Sequence, residues 1–166
     1  MLPTKRMLRL HRILLPFLLA LAAPLGGCSS HYIQNTDVED TSENRKLITF
    51  CEKYRHAVEH KDTGILLKLA APTYYEDGGN VDAADDLDYA GLRAYLDSKF
   101  QDAAAIRYEI RYRRVLKDND VFYVDYTYTA SYRIPGTKAE EWRHRVEDNR
   151  LELVPFQDEF RIIAGM

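Results

Sequence analysis

Ile106-Arg107-Tyr108-Glu109-Ile110-Arg111-Tyr112-Arg113 is the stretch whose reading decides the fold. A period of two puts Ile106, Tyr108, Ile110 and Tyr112 on one face and the charged residues on the other, as in a half-buried strand. Asp118-Asn119-Asp120 turns the chain. Phe122, Val124, Tyr126, Tyr128, Ala130 and Tyr132 then form a second long stripe. Pro135-Gly136 opens a loop before a third strand, Trp142 to Val154, whose alternation slips between Val146 and Leu151 and predicts a bulge there. Gln157-Asp158 leads into a short last strand, Phe160 to Ala164.

Upstream the period is helical. Leu47, Phe50, Cys51, Tyr54 and Val58 recur at helix spacing, with Thr41 or Ser42 as cap and Glu43 in the first turn. Asp62 caps a shorter helix carrying Ile65, Leu66, Leu67 and Leu69, which Pro72 stops. Tyr74-Tyr75-Glu76 reads as extended, Asp77-Gly78-Gly79-Asn80 as a turn, and the acidic segment Val81 to Asp88 as a loop. A third helix runs from Tyr89 to Phe100 with Leu92, Leu96 and Phe100 on one face. Helices followed by long antiparallel strands predict an α+β domain, a curved sheet wrapped on about three helices.

The N-terminus has another character. Lys5, Arg6, Arg9 and Arg12 precede an apolar run from Ile13 to Ala23 broken only by Pro16, and then comes Leu25-Gly26-Gly27-Cys28. The run has about half the ~20 residues a spanning helix needs, so it reads as a secretory signal rather than an anchor. Leu-Gly-Gly-Cys resembles the lipobox of bacterial lipoproteins, with cleavage before Cys28 and lipid on its thiol. That resemblance implies a signal over residues 1–27, a lipid anchor at Cys28 with membrane as partner, and a place in the cell envelope. Ser29, rather than Asp, implies the outer membrane by the enterobacterial sorting rule. Residues 28–41 are then a lipidated cysteine and polar tether, and 42–166 the domain.

Cleavage leaves about 140 of the 166 residues, enough for one domain. It removes four cations and no acid, so a net charge of −3 becomes −7, which argues against nucleic acid as partner. Cys51 is left without an intramolecular partner and is expected to pack as a small hydrophobe.

Three stretches resemble the nuclear-transport-factor-2-like superfamily, also called SnoaL-like or ketosteroid-isomerase-like. They are Tyr54 to Asp62, Gly64 to Leu69 followed by Tyr74-Tyr75-Glu76-Asp77, and the terminal Phe160 to Met166. The resemblance implies a cone with a pocket between helices and sheet. It places Tyr54 where ketosteroid isomerases have an oxyanion-hole tyrosine and Asp77 where they have the general base. Asn149 stands near their second donor, a protonated aspartate, and an amide is not the same acid. A carboxylate that removes a C–H proton while a phenol stabilises the enolate is coherent chemistry. The plainer reading makes Tyr54 a core residue and Asp77 a turn residue.

His56-Ala57-Val58-Glu59-His60 matches the His-x-x-Glu-His string of inverted zinc peptidases. At about 100° per residue both histidines lie opposite the apolar face, so no metal centre is expected. Arg107, Arg111 and Arg113 read as a solvated face with cross-strand ion pairs, or as an anion contact. Tyr75, Tyr108, Tyr112, Tyr126, Tyr128 and Trp142 are candidate pocket-lining residues, with Tyr132 on the same stripe. No phosphate loop or Ser/His/Asp set is present, and no cofactor is expected. The leading expectation is a non-catalytic lipoprotein that binds a small apolar ligand or an envelope protein. Pairing of two copies through the sheet is also expected. The alternatives are a small isomerase, dehydratase or cyclase using Asp77 and Tyr54, and a structural piece of an envelope assembly.

Overall fold

The structure, a computed structural model, describes residues 31–78, 83–101, 103–134 and 141–166. The leader, Cys28, the Gly79-Asn80-Val81 part of the turn and the Pro135-Gly136 loop lie outside the described residues. The elements run α1 (Ser42–Glu59), α2 (Thr63–Leu69), β1 (Tyr75–Glu76), β2 (Leu87–Asp88), α3 (Tyr89–Gln101), β3 (Ala105–Asp118), β4 (Val121–Ile134), β5 (Glu141–Phe156) and β6 (Glu159–Ala164). Helices pack on a curved antiparallel sheet ordered β3-β4-β5-β6, so the α+β cone expected from the patterning is the fold observed.

The helix boundaries follow their caps. Thr41 Oγ1 accepts the Asn44 N–H at 3.1 Å, and Asp62 Oδ1 accepts the Ile65 N–H at 2.8 Å. Each bond satisfies a donor that the first turn leaves unpaired, an effect of about 1 kcal/mol. α1 buries Leu47, Phe50, Cys51 and Tyr54 against β3 and β6. Leu66 of α2, Leu92 of α3 and Tyr112, Val124, Leu151 and Ile162 of the sheet complete the core. Cys51 sits in that core as a thiol, and burial raises its pKa, which leaves it unreactive. Among the described residues no helix is long and apolar enough to cross a membrane.

Three details differ from the sequence reading. The end of the expected loop pairs as β2 with β1, Tyr75 opposite Asp88 and Glu76 opposite Leu87. The bulge expected in β5 is absent from its β4 side, where pairing runs unshifted from Phe122–Leu153 to Ile134–Glu141. Register shifts fall instead between Tyr112 and Arg114 of β3 and between Glu152 and Leu153 where β5 meets β6. Residues 141–150 are exposed on both faces, so the parity of their apolar side chains no longer reports a core.

The third difference concerns the expected tether. From His31 to Asp40 the chain folds back on itself and docks on β3. Tyr32 bridges Glu39, Ile33 N–H donates to Val38 O, and Asp37 N–H donates to Tyr112 O at 2.9 Å. Val38 is 2% exposed. The Asp37 carboxylate accepts from Arg111 Nη2 at 2.6 Å and Arg113 Nη1 at 3.0 Å. β3 is a sheet edge with backbone groups to offer, and the hairpin docks there through buried Val38, the Asp37 N–H and two ion pairs of Asp37.

Hydrogen bonds from Arg111 and then Arg113 hold the Asp37 carboxyl down at about 2 against an ordinary 3.8. The folded-state pKa is depressed, so this contribution is complete above the unfolded value and disappears as pH falls through the folded one. Protection of the Val38 amide, taken relative to the intrinsic exchange rate at each pH, is therefore expected to fall between pH 3.8 and about 2, and Asp37→Asn to show that lower protection at neutral pH.

Gly165 follows β6 at φ +92°, where a Cβ would meet Arg150 O at 1.8 Å. Its N–H donates to Glu76 Oε2 at 2.5 Å. Gly165→Ala should lower stability by about 1–3 kcal/mol in urea unfolding, the cost of an overpacked contact on a left-handed backbone.

Candidate functional site

Two helices and three strands line a cavity of about 560 Å³. Tyr54 and Val58 reach it from α1, and Tyr95, Leu96, Lys99 and Phe100 from α3. The sheet contributes Ile106 and Tyr108 from β3, Tyr128, Ala130 and Tyr132 from β4, and Arg145, Glu147, Asp148 and Asn149 from β5, with Met166 beside them. The period of two makes this wall: tyrosines of one parity face the helices, and Ala130 leaves space among them. The β5 residues form the exposed side, because that part of the strand extends beyond helix cover.

Inside, the polar groups satisfy one another. The hydroxyls of Tyr54, Tyr108 and Tyr126 converge and influence one another's ionisation. Asn149 Nδ2 donates to Tyr126 Oη at 3.1 Å. The Tyr54 and Tyr108 rings meet edge to face with centroids 6.4 Å apart, and Tyr108 lies 5.3 Å from Tyr128. Burial is the main cause that raises the pKa of all four phenols. Tyr108 and Tyr128 are pushed up to about 12, and Tyr54 and Tyr126 well above the ordinary value. They remain protonated donors across the physiological range.

The carboxylates are placed differently. Glu147 accepts from Tyr128 Oη at 2.8 Å and pairs with Arg145 at 2.6 Å. Arg145 first, then Tyr128, holds its pKa below the ordinary glutamate value, which weakens it as a base. Asp148 accepts from Thr127 Oγ1 at 2.6 Å. Both are exposed.

Of the expected catalytic residues, Tyr54 and Asn149 share the cavity and Asp77 does not line it. Asp77 is exposed just beyond β1. Its neighbour Glu76 is the half-buried carboxylate, accepting from Tyr74 Oη at 3.5 Å and from Gly165 N–H. Strand parity explains this, since adjacent residues point to opposite sides. Among the candidate pocket residues, Tyr108 and Tyr128 line the cavity. Tyr126 lies behind the wall, and Tyr112 is core, donating to Glu52 Oε1 at 2.8 Å. Tyr75 is half exposed and bonded to Asp86, and Trp142 lies on the outer face with Arg107 over its ring at 5.5 Å. Tyr95, Lys99 and Ile106 were not foreseen. The 3.6-residue spacing of Tyr95 and Lys99 beside Leu96 and Phe100 could have shown them.

The arginine-rich outer face is an ion-paired surface. Arg111 and Arg113 hold Asp37, while Arg114 and Arg150 both hold Asp125, whose pKa they lower. A shallow groove of about 870 Å³ runs over these pairs, so its charges are already satisfied.

No family model and no curated protein sequence matches the chain. Solved structures do. A Kribbella flavida protein superposes at TM-score 0.62 with 15% identity, over 74% of this chain and 86% of its own. A protein from Streptomyces avermitilis, described as a candidate dehydratase of the NTF2-like family, superposes at 0.62 with 10% identity, over 74% and 92%. One from Xanthomonas campestris, described as a candidate calcium/calmodulin-dependent protein kinase II association domain, reaches 0.61 with 15% identity, over 81% and 93%. The fold is therefore NTF2-like, as the three sequence stretches implied, and at these identities the likeness extends to fold alone.

Because Tyr54 is shielded and hydrogen-bonded, Tyr54→Phe should leave the phenolate absorbance at about pH 11 unchanged. It should also cost about 1–2 kcal/mol, since partner hydroxyls lose a bond. A fall in that absorbance, read by ultraviolet difference titration, would show Tyr54 ionising with the exposed phenols.

Proposed function

We propose that this chain is a lipid-anchored protein of the bacterial cell envelope whose NTF2-like domain binds a small, largely apolar ligand without transforming it. The observation that carries the binding reading is the cavity itself. It has apolar and phenolic walls, protonated hydroxyl donors inside, and carboxylates only at an exposed rim where each is already partnered. Such a site can hold and orient a molecule. Proton abstraction beside a carbonyl needs a base aimed at the carbon, and the described lining offers only Glu147, weakened by Arg145, and Asp148, held by Thr127.

The anchoring half of the proposal rests on Leu25-Gly26-Gly27-Cys28. Only Ser29 and Ser30 separate Cys28 from His31, where the docked hairpin starts. Three residues reach at most about 10 Å, so the domain would work at the membrane surface rather than on a long leash. Ser29 favours the outer membrane. The exposed outer sheet face, with Trp142 and Val146, is where two copies or an envelope partner would meet. The enzymatic alternative draws on the Tyr54 hydroxyl cluster and on the dehydratase description of the Streptomyces avermitilis neighbour.

N-Phenyl-1-naphthylamine, an apolar fluorescent probe, is expected to bind the purified chain. Ala130→Trp, which fills the cavity from its β4 wall, should weaken that binding at least about tenfold, equivalent to roughly 1.4 kcal/mol. Equal binding by both forms would remove the cavity from the proposal. Mass spectrometry of the mature protein should find lipid on Cys28, and a Cys28→Ala form should stay unlipidated and leave the membrane fraction.

A further inference from the structure

The histidine string at the end of α1 was not used by the cavity. His56 and His60 are exposed, as their helical phase predicts. Yet ligand atoms of His56, Glu59 and His60 lie within 4.8 Å of one another. Positions three and four apart share a helix face, which puts three donors of two types, imidazole and carboxylate, for a borderline divalent cation at the end of the helix.

A hydrogen bond assigns the tautomer of His60. His60 Nδ1 lies 2.8 Å from the His56 carbonyl oxygen, which can only accept. Nδ1 therefore bears the proton and Nε2 the lone pair. That is the arrangement of metal-binding histidines, whose second nitrogen donates to a carbonyl. Arg55 Nη2 lies 2.9 Å from His56 Nε2 and 3.4 Å from His56 Nδ1, so the guanidinium sits over the imidazole face and leaves the in-plane lone pair of that ring open. Arg55 Nη1 meets Glu59 Oε2 at 3.1 Å. One cation thus already lies against two of the three ligand groups, His56 and Glu59.

We propose that His56, Glu59 and His60 form a surface site for a divalent transition-metal ion, zinc above all, with Arg55 occupying it in the metal-free protein. The displaced guanidinium keeps two other partners, Glu52 Oε2 at 2.7 Å and Tyr108 O at 3.2 Å, so no buried charge is stranded. Ligands about 2.0–2.2 Å from zinc stand roughly 3.3 Å apart, and rotation of three exposed or half-buried side chains closes that difference. The fourth position opens on a groove bordered by Lys53, Asp62, Ile65 and Leu69. It is left to water or to a partner's side chain. No peptidase chemistry follows from this site: Glu59 is a ligand here, and the cavity lies elsewhere.

The test is calorimetric titration of the full chain in detergent with Zn²⁺ alone, and with Co²⁺ read by visible absorption. One ion per chain is expected, with a dissociation constant on the order of 1–10 µM. His60→Ala should weaken binding at least about tenfold and Glu59→Gln by a smaller factor, while Arg55→Lys, which frees the fork but keeps a charge, should tighten it. The variants are at the surface, and circular dichroism should show them folded. Absence of one-ion binding below about 100 µM, or binding that survives the His56→Ala/His60→Ala pair, would overturn the proposal.

Discussion

A cluster of phenol hydroxyls in an otherwise apolar interior is the constraint on which the rest of this structure turns. Tyr54 is 4% exposed and Tyr126 1%. An unpaired hydroxyl at such depth costs on the order of 1–3 kcal/mol, so the convergence of the three favours one docked position of the helix. Tyr54 comes from α1, Tyr108 from β3 and Tyr126 from β4. Their meeting ties the rotation of α1 to the register of β3 and β4 at one point. Leucines in those places would bury as much surface and leave the helix freer to rotate.

The cavity is the other consequence of the same residues. Long, stiff side chains that meet at their tips cannot also fill the space beside them, and Ala130 adds nothing to fill it. Dispersion contacts are forgone along that wall, while the rest of the core, around Leu47, Leu66, Leu92 and Leu151, is fully buried. The unfilled space lies between α1, α3 and the sheet and opens where β5 is exposed.

That geometry explains what was legible in the sequence. Strand and helix identities were legible because Ile106 to Arg113 and Leu47 to Val58 each obey a clean period. The caps were legible because Thr41 and Asp62 act through bonds within three residues. The NTF2-like fold could be read from three short stretches, and the superpositions agree. What escaped depends on contacts distant in sequence. Residues 31–41 are polar, and only the edge of β3, some seventy positions later, turns Asp37 and Val38 into docking residues. The β5 slip was read as a bulge because exposed and buried halves of one strand have different composition rules. Half of the candidate site was legible through Tyr54, Tyr108, Tyr128 and Asn149. Parity inside the two-residue β1 decided the other half, and a segment that short has no period to read.

Position also separates the carboxylates near the site by environment. Glu76 and Asp77 are neighbours, yet one accepts from Tyr74 and Gly165 while the other faces solvent. A base for enolisation requires a carboxylate that is both shielded, which raises its pKa, and open to substrate. Here the two properties are divided. Glu76 is shielded and committed to the backbone of the chain's end. Glu147 faces the cavity but is exposed, and Arg145 stabilises its charged form. The phenols are under the opposite influence, since burial stabilises their neutral form. A molecule in this cavity therefore meets apolar walls and fixed hydrogen-bond donors within, and charge already neutralised at the mouth. Those are conditions for retention and orientation, and among the described lining residues the two carboxylates, Glu147 and Asp148, are exposed and already partnered.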